Sequence, residues 1–316
     1  MSVFTALQRP ELEDFLQSFA LGRLLTYQGI AEGAENSNFF VSLDSGDYVL
    51  TLVERGERCN LPFTVTLLER LHKAGLPVPF AVRDKRGQAL LELAGKPALL
   101  QPRLPGKHIL QPNRAHCAEV GRALARMHLA TRKQLMEHPP ERGLHWMLEQ
   151  GQQLAAEVSA SQLELLSSAL LDAEALETLW YELPQANLHA DLFRDNVLFD
   201  GPHLSGMIDF HNACSGPMLY DLAIALNDWC SKESGTLDPR LARAMLAAYG
   251  GQRPFTQAEA LHWPALLRVA CLRFWLSRLL AARVPVSAGV QIKAPQEFEL
   301  CLRQRRQSIQ PLPMAL

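Results

Sequence analysis

The chain has 316 residues, of which 48% are hydrophobic, and a formal charge of −2 from 31 Lys and Arg against 33 Asp and Glu. This length and composition allow a sizeable core in two lobes, and the near-neutral charge excludes a general attraction to nucleic acid or to anionic membranes. The expected partner is therefore a small molecule.

The cysteines and the hydrophobic segments exclude two further classes. Six scattered cysteines form no C-x-x-C pair, so zinc-site spacing is absent and reduced thiols are expected. The N-terminus has no apolar signal core, and four arginines interrupt the most hydrophobic long segment, residues 261–286, so it cannot span a membrane. We expect a soluble, cytoplasmic protein.

The N-terminal third predicts a small β-rich lobe. A helix begins at Pro10 and ends near Gly22, and two β-rich runs within residues 24–53 flank a loop that contains Gly29 and Gly33. Strand, glycine-bearing loop and strand form the order in which a kinase small lobe covers the ATP phosphates. Bare glycines are also common in turns, so the loop alone does not establish a nucleotide site.

The rest of this lobe leads to a boundary. A helix is predicted from Pro62 to Ala74, and residues 98–104 are interpreted as an edge strand and linker whose exposed backbone would pair with adenine. Pro105-Gly106 marks the change to a helical composition, so we predict lobes at 1–104 and 105–316. In the second lobe, Asn113 and Asp238 are predicted helix caps.

Residues 187–209 place His189, Asp191, Asn196 and Asp209 within short apolar segments. The runs on either side of Asp200-Gly201 predict two paired strands that hold Asn196 near Asp209. The D-x-x-x-x-N spacing is the pattern in which protein kinases place a catalytic Asp and a metal-binding Asn, and Asp209 stands where they place a second metal ligand. Alone, each polar residue is better interpreted as a buried or capping group, but their joint spacing favours catalysis.

The motif H-x-D-x-x-x-x-N followed by I-D-F resembles the aminoglycoside phosphotransferase and choline kinase-like superfamily. The strings at 33–40, 48–52, 190–196 and 226–230 are similar to its bacterial homoserine kinase branch, the phosphotransferase-like type. The resemblance implies an α+β, protein-kinase-like two-lobe fold. It has a small antiparallel β-rich N-terminal lobe and a larger, mostly helical C-terminal lobe.

The resemblance also implies ATP and Mg2+ as cofactors and phosphorylation of L-homoserine to O-phospho-L-homoserine, a step of threonine biosynthesis. Asp191 is expected to be the catalytic base, His189 to support its loop, and Asn196 and Asp209 to bind magnesium. The expected nucleotide contacts, on the glycine-bearing loop and the predicted edge strand, are Ser37, Asn38, Gln101 and Arg103.

The expected acceptor contacts lie further along the chain. Asn227, Asp228 and Trp229 offer a carboxylate for an ammonium group and an aromatic wall, and Arg273 offers a bidentate fork for a carboxylate. The alternative for Arg273 is a snorkelling arginine paired with a helix acid. Asp221 is expected to support the catalytic loop through main-chain donors, or equally to sit at a helix N-terminus.

One departure from the kinase pattern concerns phosphate binding. Thr51 stands where kinase small lobes carry a lysine, Arg55 and Arg58 are the nearest cations, and Glu69 is left without that partner. This departure leaves open a non-catalytic nucleotide-binding member of the fold. Independently of it, a related phosphotransferase that acts on choline, a methylthio sugar or an aminoglycoside also stays open.

Overall fold

The computed structural model describes residues 5–30, 36–54, 60–283 and 293–314. These residues form two compact units, one ending at Pro105 and the other beginning at Gly106. The first contains a small antiparallel sheet and the second is mostly helical, which confirms the predicted α+β fold class. Predictions that involve residues 33–35, Arg55 and Arg58 lie outside the described residues.

The first unit is built on a five-stranded antiparallel sheet with strand order β1-β2-β3-β5-β4. Its elements are α1 (Arg9–Leu16), β1 (Leu24–Gly29), β2 (Ser37–Leu43), β3 (Gly46–Leu52), α2 (Leu61–Lys73), β4 (Leu91–Leu93) and β5 (Lys96–Pro102). Alternate residues of β2, including Phe39 and Val41, point into a core shared with Leu12 and Leu16 of α1. The opposite face of β2 therefore carries Asn38.

The prediction that residues 98–104 form an edge strand is wrong. β5 lies between β3 and β4, and the three-residue β4 pairs with its beginning. A tight hairpin produces this pairing because Ala94 and Gly95 both adopt positive φ angles. Further along β5, past the residues that pair with β4, the carbonyl oxygen of Leu100 accepts a hydrogen bond from the N–H of Val82 at 2.7 Å. This backbone oxygen is therefore already occupied.

The second unit packs its helices around α6. Its elements are α3 (Arg114–Thr131), α4 (Leu144–Leu154), α5 (Ala160–Glu177), β6 (Gln185–Leu188), β7 (Val197–Asp200), β8 (His203–Met207), β9 (Cys214–Pro217), α6 (Met218–Trp229), α7 (Pro239–Gln252), α8 (Gln257–Ala281) and α9 (Pro295–Gln307). Every residue of α6 is buried. The predicted caps are confirmed: Asn113 accepts from the N–H of His116, and Asp238 from those of Arg240 and Leu241.

Two short antiparallel strand pairs hold the loops of interest. β6 pairs with β9, and β7 pairs with β8, so the loop after β6 and the loop after β8 are both anchored at their ends. The predicted hairpin around Asp200-Gly201 is confirmed.

The five described cysteines are unpaired and buried. Within the described part of the chain, no helix combines the length and apolar character that crossing a membrane requires.

Replacing Gly121 with alanine should lower the free energy of unfolding by about 1–3 kcal/mol, because α3 approaches α7 so closely that a Cβ would overlap the carbonyl oxygen of Met245. Gly251, near the end of α7, provides a matched control because a Cβ there meets nothing within 4 Å. Gly251→Ala should be neutral or stabilising by up to about 1 kcal/mol. Urea unfolding measures both, and equal effects would contradict the close helix contact.

Candidate active site

The β7–β8 hairpin brings two of the predicted residues together. Val197 pairs with Met207, and the N–H of Ile208 donates to the carbonyl oxygen of Asn196 at 3.0 Å. Asn196 and Asp209 therefore stand next to each other at the same end of the hairpin, as the turn pattern predicted.

The loops after β6 and after β8 each contain a residue with an unusual backbone conformation. Ala190, the residue before Asp191, has a φ of 60°, and Asp209 has a φ of 62°, although neither is glycine. Such conformations cost free energy and persist only where the surroundings hold them. At Ala190 the surroundings include Asp221, whose carboxylate accepts the N–H groups of His189 and Ala190, each at 2.8 Å. The predicted role of Asp221 is confirmed.

The carboxylate of Asp221 is itself held in place by His128. Nε2 of His128 lies 3.1 Å from Oδ2 of Asp221, and Nδ1 of His128 lies 2.8 Å from the hydroxyl of Tyr249. Burial acts to raise the pKa of Asp221, but His128 and the main-chain donors outweigh it and hold that pKa below its ordinary value. The buried carboxylate therefore stays ionised and keeps its bonds to the loop.

His189 supports the second loop. Its imidazole is fully buried, and burial lowers its pKa, which favours the neutral ring. Nε2 lies 2.9 Å from the carbonyl oxygen of Ile208, so the neutral ring donates its Nε2–H there. This contact positions the residue before Asp209 and occupies the Nε2 atom of His189.

Asn196 is oriented as a metal ligand requires. Its Nδ2 donates to the main-chain oxygen of Asp191 at 2.8 Å, which leaves the amide oxygen on the other side of the group. The carboxylate of the neighbouring Asp209 is exposed. These two hard oxygen ligands fit Mg2+, which usually takes few protein ligands and completes its shell with phosphate and water. Among the described residues no cluster of three or more His, Cys, Asp or Glu offers an alternative metal site.

The Asp191 carboxylate is only partly exposed. Burial raises its pKa to about 7; Arg273 counteracts the shift, while Asp209 and Asp195 add to it. A carboxylate with a pKa near neutrality is a suitable proton acceptor at physiological pH.

Arg273 does not point at an acceptor. It is 4% exposed, donates through Nη1 to the carbonyl oxygen of Ala190, and donates through Nη2 to Oδ1 of Asn212 at 3.1 Å. Nδ2 of Asn212 in turn donates to Oδ2 of Asp191 at 3.2 Å. The arginine thus fixes the amide that holds one carboxylate oxygen of Asp191 and leaves the other, Oδ1, for a ligand. The sequence pattern gave Asn212 no role, although it lies three residues after Asp209.

The other predicted acceptor residues are also occupied. Trp229 is fully buried and donates through Nε1 to the carbonyl oxygen of Leu192 at 3.0 Å. Asn227 is 1% exposed and bonds the carbonyl oxygen of Leu267 and Nε of Arg305. The carboxylate of Asp228 is buried and accepts the main-chain N–H and the guanidinium of Arg194. The structure therefore uses all three residues as internal supports of α6 and of the catalytic loop.

The predicted nucleotide contacts lie in the first unit. Ser37 is buried and donates to Oε1 of Glu54 at 2.5 Å, whereas Asn38, on the other face of β2, is partly exposed. Gln101 donates through Nε2 to the carbonyl oxygen of Pro79 at 2.7 Å. The exposed guanidinium of Arg103 stacks 3.9 Å above the Phe40 ring.

At position 51, where kinase small lobes carry a lysine, a hydrogen bond joins two uncharged side chains. Thr51 donates through its hydroxyl to Oδ1 of Asn38 at 2.7 Å across β2 and β3, which turns the amide N–H groups of Asn38 away from Thr51. Glu69 on α2, without a lysine partner, pairs instead with Arg83.

The partly exposed carboxylate of Asp191, with Asn196 and Asp209 on neighbouring anchored loops, is the arrangement expected of a phosphotransferase of kinase-like fold. A family model described as the phosphotransferase enzyme family matches residues 26–258, more than half of the chain. The chain belongs to this family.

Among curated relatives, the chain is similar to homoserine kinases along its whole length. It is 60% identical to the homoserine kinase of Pseudomonas aeruginosa over 316 residues, covering 100% of both chains. It is 41% identical to that of Methylobacillus flagellatus over 304 residues, covering 96% of this chain and 95% of the other.

Solved structures share the fold at low identity. An amicoumacin kinase in complex with AMP-PNP, Ca2+ and Ami superposes with a TM-score of 0.69 at 16% identity, covering 95% of this chain and 93% of that one. A choline kinase from Cryptosporidium parvum superposes with a TM-score of 0.60 at 15% identity, covering 89% of each chain. These likenesses establish the kinase-like fold.

Replacing Asp191 with asparagine should stabilise the metal-free protein at about pH 8 by on the order of 1–2 kcal/mol, because folding makes this partly exposed carboxylate harder to ionise. Its folded pKa of about 7 lies above its ordinary value of 3.8. The penalty is therefore absent below about pH 4, grows as the pH rises, and is complete above about pH 7. Urea unfolding of both proteins at about pH 5 and about pH 8 measures the difference, and an equal difference at both values would contradict the raised pKa.

Replacing Asn212 with alanine should lower kcat by about tenfold while leaving both KM values nearly unchanged, because the carboxylate of Asp191 loses the donor that fixes its orientation. Steady-state kinetics with each substrate varied in turn measures the split. A raised KM with an unchanged kcat would mean that Asn212 binds substrate instead of orienting the base.

Proposed function

We propose that the protein is an ATP-dependent kinase that phosphorylates the hydroxyl group of L-homoserine to give O-phospho-L-homoserine, a step of threonine biosynthesis. The choice of L-homoserine as the acceptor rests on the similarity to homoserine kinases, at 60% and 41% identity over all or nearly all of the chain. The site supports the chemistry, because Asp191, Asn196 and Asp209 supply the base and the oxygen ligands that phosphoryl transfer needs.

In this proposal the acceptor hydroxyl donates its proton to Oδ1 of Asp191, the oxygen that Asn212 leaves available. The hydroxyl oxygen forms a bond to the γ-phosphorus of ATP as the bond to the β–γ bridging oxygen breaks, so ADP leaves with that electron pair. A base with a pKa of about 7 can accept the proton near neutral pH.

Asn196 and Asp209 would hold magnesium against the phosphates, and the bound cation would neutralise negative charge that develops during transfer. The divalent cation and the ATP analogue named with the amicoumacin kinase belong to that protein and lend support by similarity of fold. His189 and Asp221 keep the two ligand-bearing loops in place by the contacts already described.

We further propose that the first unit binds the nucleotide. Asn38 would donate its amide N–H groups to a phosphate, since Thr51 occupies its oxygen. Gln101 and Arg103, at the end of β5, would contact the base or the sugar, and Ser37 would hold β2 in place through Glu54. The partner is a small molecule. Buried, unpaired thiols support a reducing, cytoplasmic location.

Replacing Asp191 with alanine should lower kcat with L-homoserine by about 10²- to 10⁴-fold, because general-base assistance contributes about that factor. Asp200→Asn is the matched control, since Asp200 is an exposed carboxylate at the turn of the same hairpin. A coupled ADP-release assay with L-homoserine, choline, L-serine and an aminoglycoside measures both variants and the wild type. Near-wild-type turnover of Asp191→Ala would refute the base, and no turnover of L-homoserine by the wild type would refute the acceptor.

A further inference from the structure

Acceptor recognition needs charged groups that the buried candidates do not supply. An amino-acid acceptor carries an ammonium and a carboxylate, yet Asn227, Trp229 and Arg273 are committed to internal contacts. The Arg194–Asp228 pair is also committed, because Asp228 is buried and Arg194 additionally bonds the carbonyl oxygen of Leu110.

A second ion pair lies beside the catalytic loop and is accessible. Nζ of Lys293 contacts Oδ2 of Asp195, and the two side chains are 51% and 52% exposed. Asp195 directly precedes the metal-ligand candidate Asn196, and the ammonium of Lys293 lies 5.4 Å from the centre of the Phe193 ring. The pair is thus attached to the loop that presents Asp191.

The pair also lies close to Asp191 along a tight turn. The N–H of Phe193 donates to the carbonyl oxygen of Asp191 at 2.8 Å, and the N–H of Asn196 donates to that of Phe193 at 2.9 Å, so the backbone folds Asp195 back toward Asp191. A cation and an anion side by side, near the base, are complementary to the two charges on the α-carbon of an amino acid.

We propose that Lys293 and Asp195 form an acceptor clamp, in which Lys293 binds the α-carboxylate and Asp195 binds the α-ammonium of a zwitterionic amino acid whose side-chain hydroxyl reaches Asp191. The clamp rests on the proposed function, because it concerns the acceptor of that same reaction. In homoserine, two methylene groups separate the α-carbon from the hydroxyl, so the charges and the reacting oxygen lie at opposite ends of a short chain.

The exchange of partners is energetically reasonable. An exposed ion pair contributes little to stability. A zwitterion that brings a carboxylate for Lys293 and an ammonium for Asp195 can therefore exchange that pair for two charge-assisted contacts. Choline and aminoglycosides carry cations without a carboxylate. Their binding to Asp195 would leave Lys293 without an anionic partner, and their positive charge would repel its ammonium group. The clamp therefore selects for amino acids and against purely cationic alcohols.

The first test measures KM in two variants of the full chain. Lys293→Met and Asp195→Asn should each raise the KM for L-homoserine by about 10- to 100-fold, because each loses a charge-assisted contact, and should leave the KM for ATP unchanged. Arg122→Met is the matched control, since Arg122 forms a surface pair with Glu119 on α3. It should change neither KM.

The second test assigns each charge. The probes are 4-hydroxybutanoate, which is homoserine without its ammonium, and 3-aminopropan-1-ol, which is homoserine without its carboxylate, used as acceptors or as competitors of L-homoserine. Lys293→Met should weaken the binding of 4-hydroxybutanoate and leave that of 3-aminopropan-1-ol unchanged. Asp195→Asn should weaken the binding of 3-aminopropan-1-ol and leave that of 4-hydroxybutanoate unchanged.

The outcomes separate the two proposals. Suppose that the wild type phosphorylates L-homoserine. If both variants keep the wild-type KM for L-homoserine, or raise the KM for ATP as much as the KM for L-homoserine, the clamp is overturned while the proposed function stands. Equal losses for both probes in either variant would also overturn it, since they would indicate a distorted loop. A wild type that does not phosphorylate L-homoserine refutes the proposed function itself.

Discussion

The structure of the site depends on the contact between the carboxylate of Asp221 and two main-chain N–H groups of the catalytic loop. The loop includes Ala190 at a positive φ angle, which an L-residue adopts only when held there. Asp221 lies on α6, all of whose residues are buried, and His128 contacts its side chain. The strained loop is therefore tied directly to a fully buried helix of the second unit.

The polar contacts continue outward from this anchor to Asp191, the proposed base. Arg273 holds the carbonyl oxygen of Ala190 and the amide of Asn212, and Asn212 holds one oxygen of Asp191. A buried cation near a carboxylate favours the ionised form, while burial opposes it, and the balance leaves the pKa of Asp191 near neutrality. The protein keeps a partly buried carboxylate that is poorly solvated, which is a usual compromise between stability and catalysis.

Several elements were predictable because their signals are local. Cap residues such as Asn113 act on the next turn of their own helix, and the turn at Asp200-Gly201 specifies the strands on either side of it. The edge-strand prediction failed because β4 is only three residues long, too short for a clear alternating pattern, and it forms through the positive φ angles of Ala94 and Gly95. Short strands depend on their partner more than on their own residues.

By itself, the sequence determined the α+β fold class, the family, and the order of His189, Asp191, Asn196 and Asp209, because spacing along one hairpin and its preceding loop fixes which residues meet. Only the tertiary structure decided which side of a helix faces the site. Arg273 turned inward to support the catalytic loop, and the Asn227–Trp229 segment was buried. The direction of a side chain on a helix packed on several sides is set by neighbours distant in the chain, such as Ala190 for Arg273 and Arg305 for Asn227, and no local pattern encodes those neighbours.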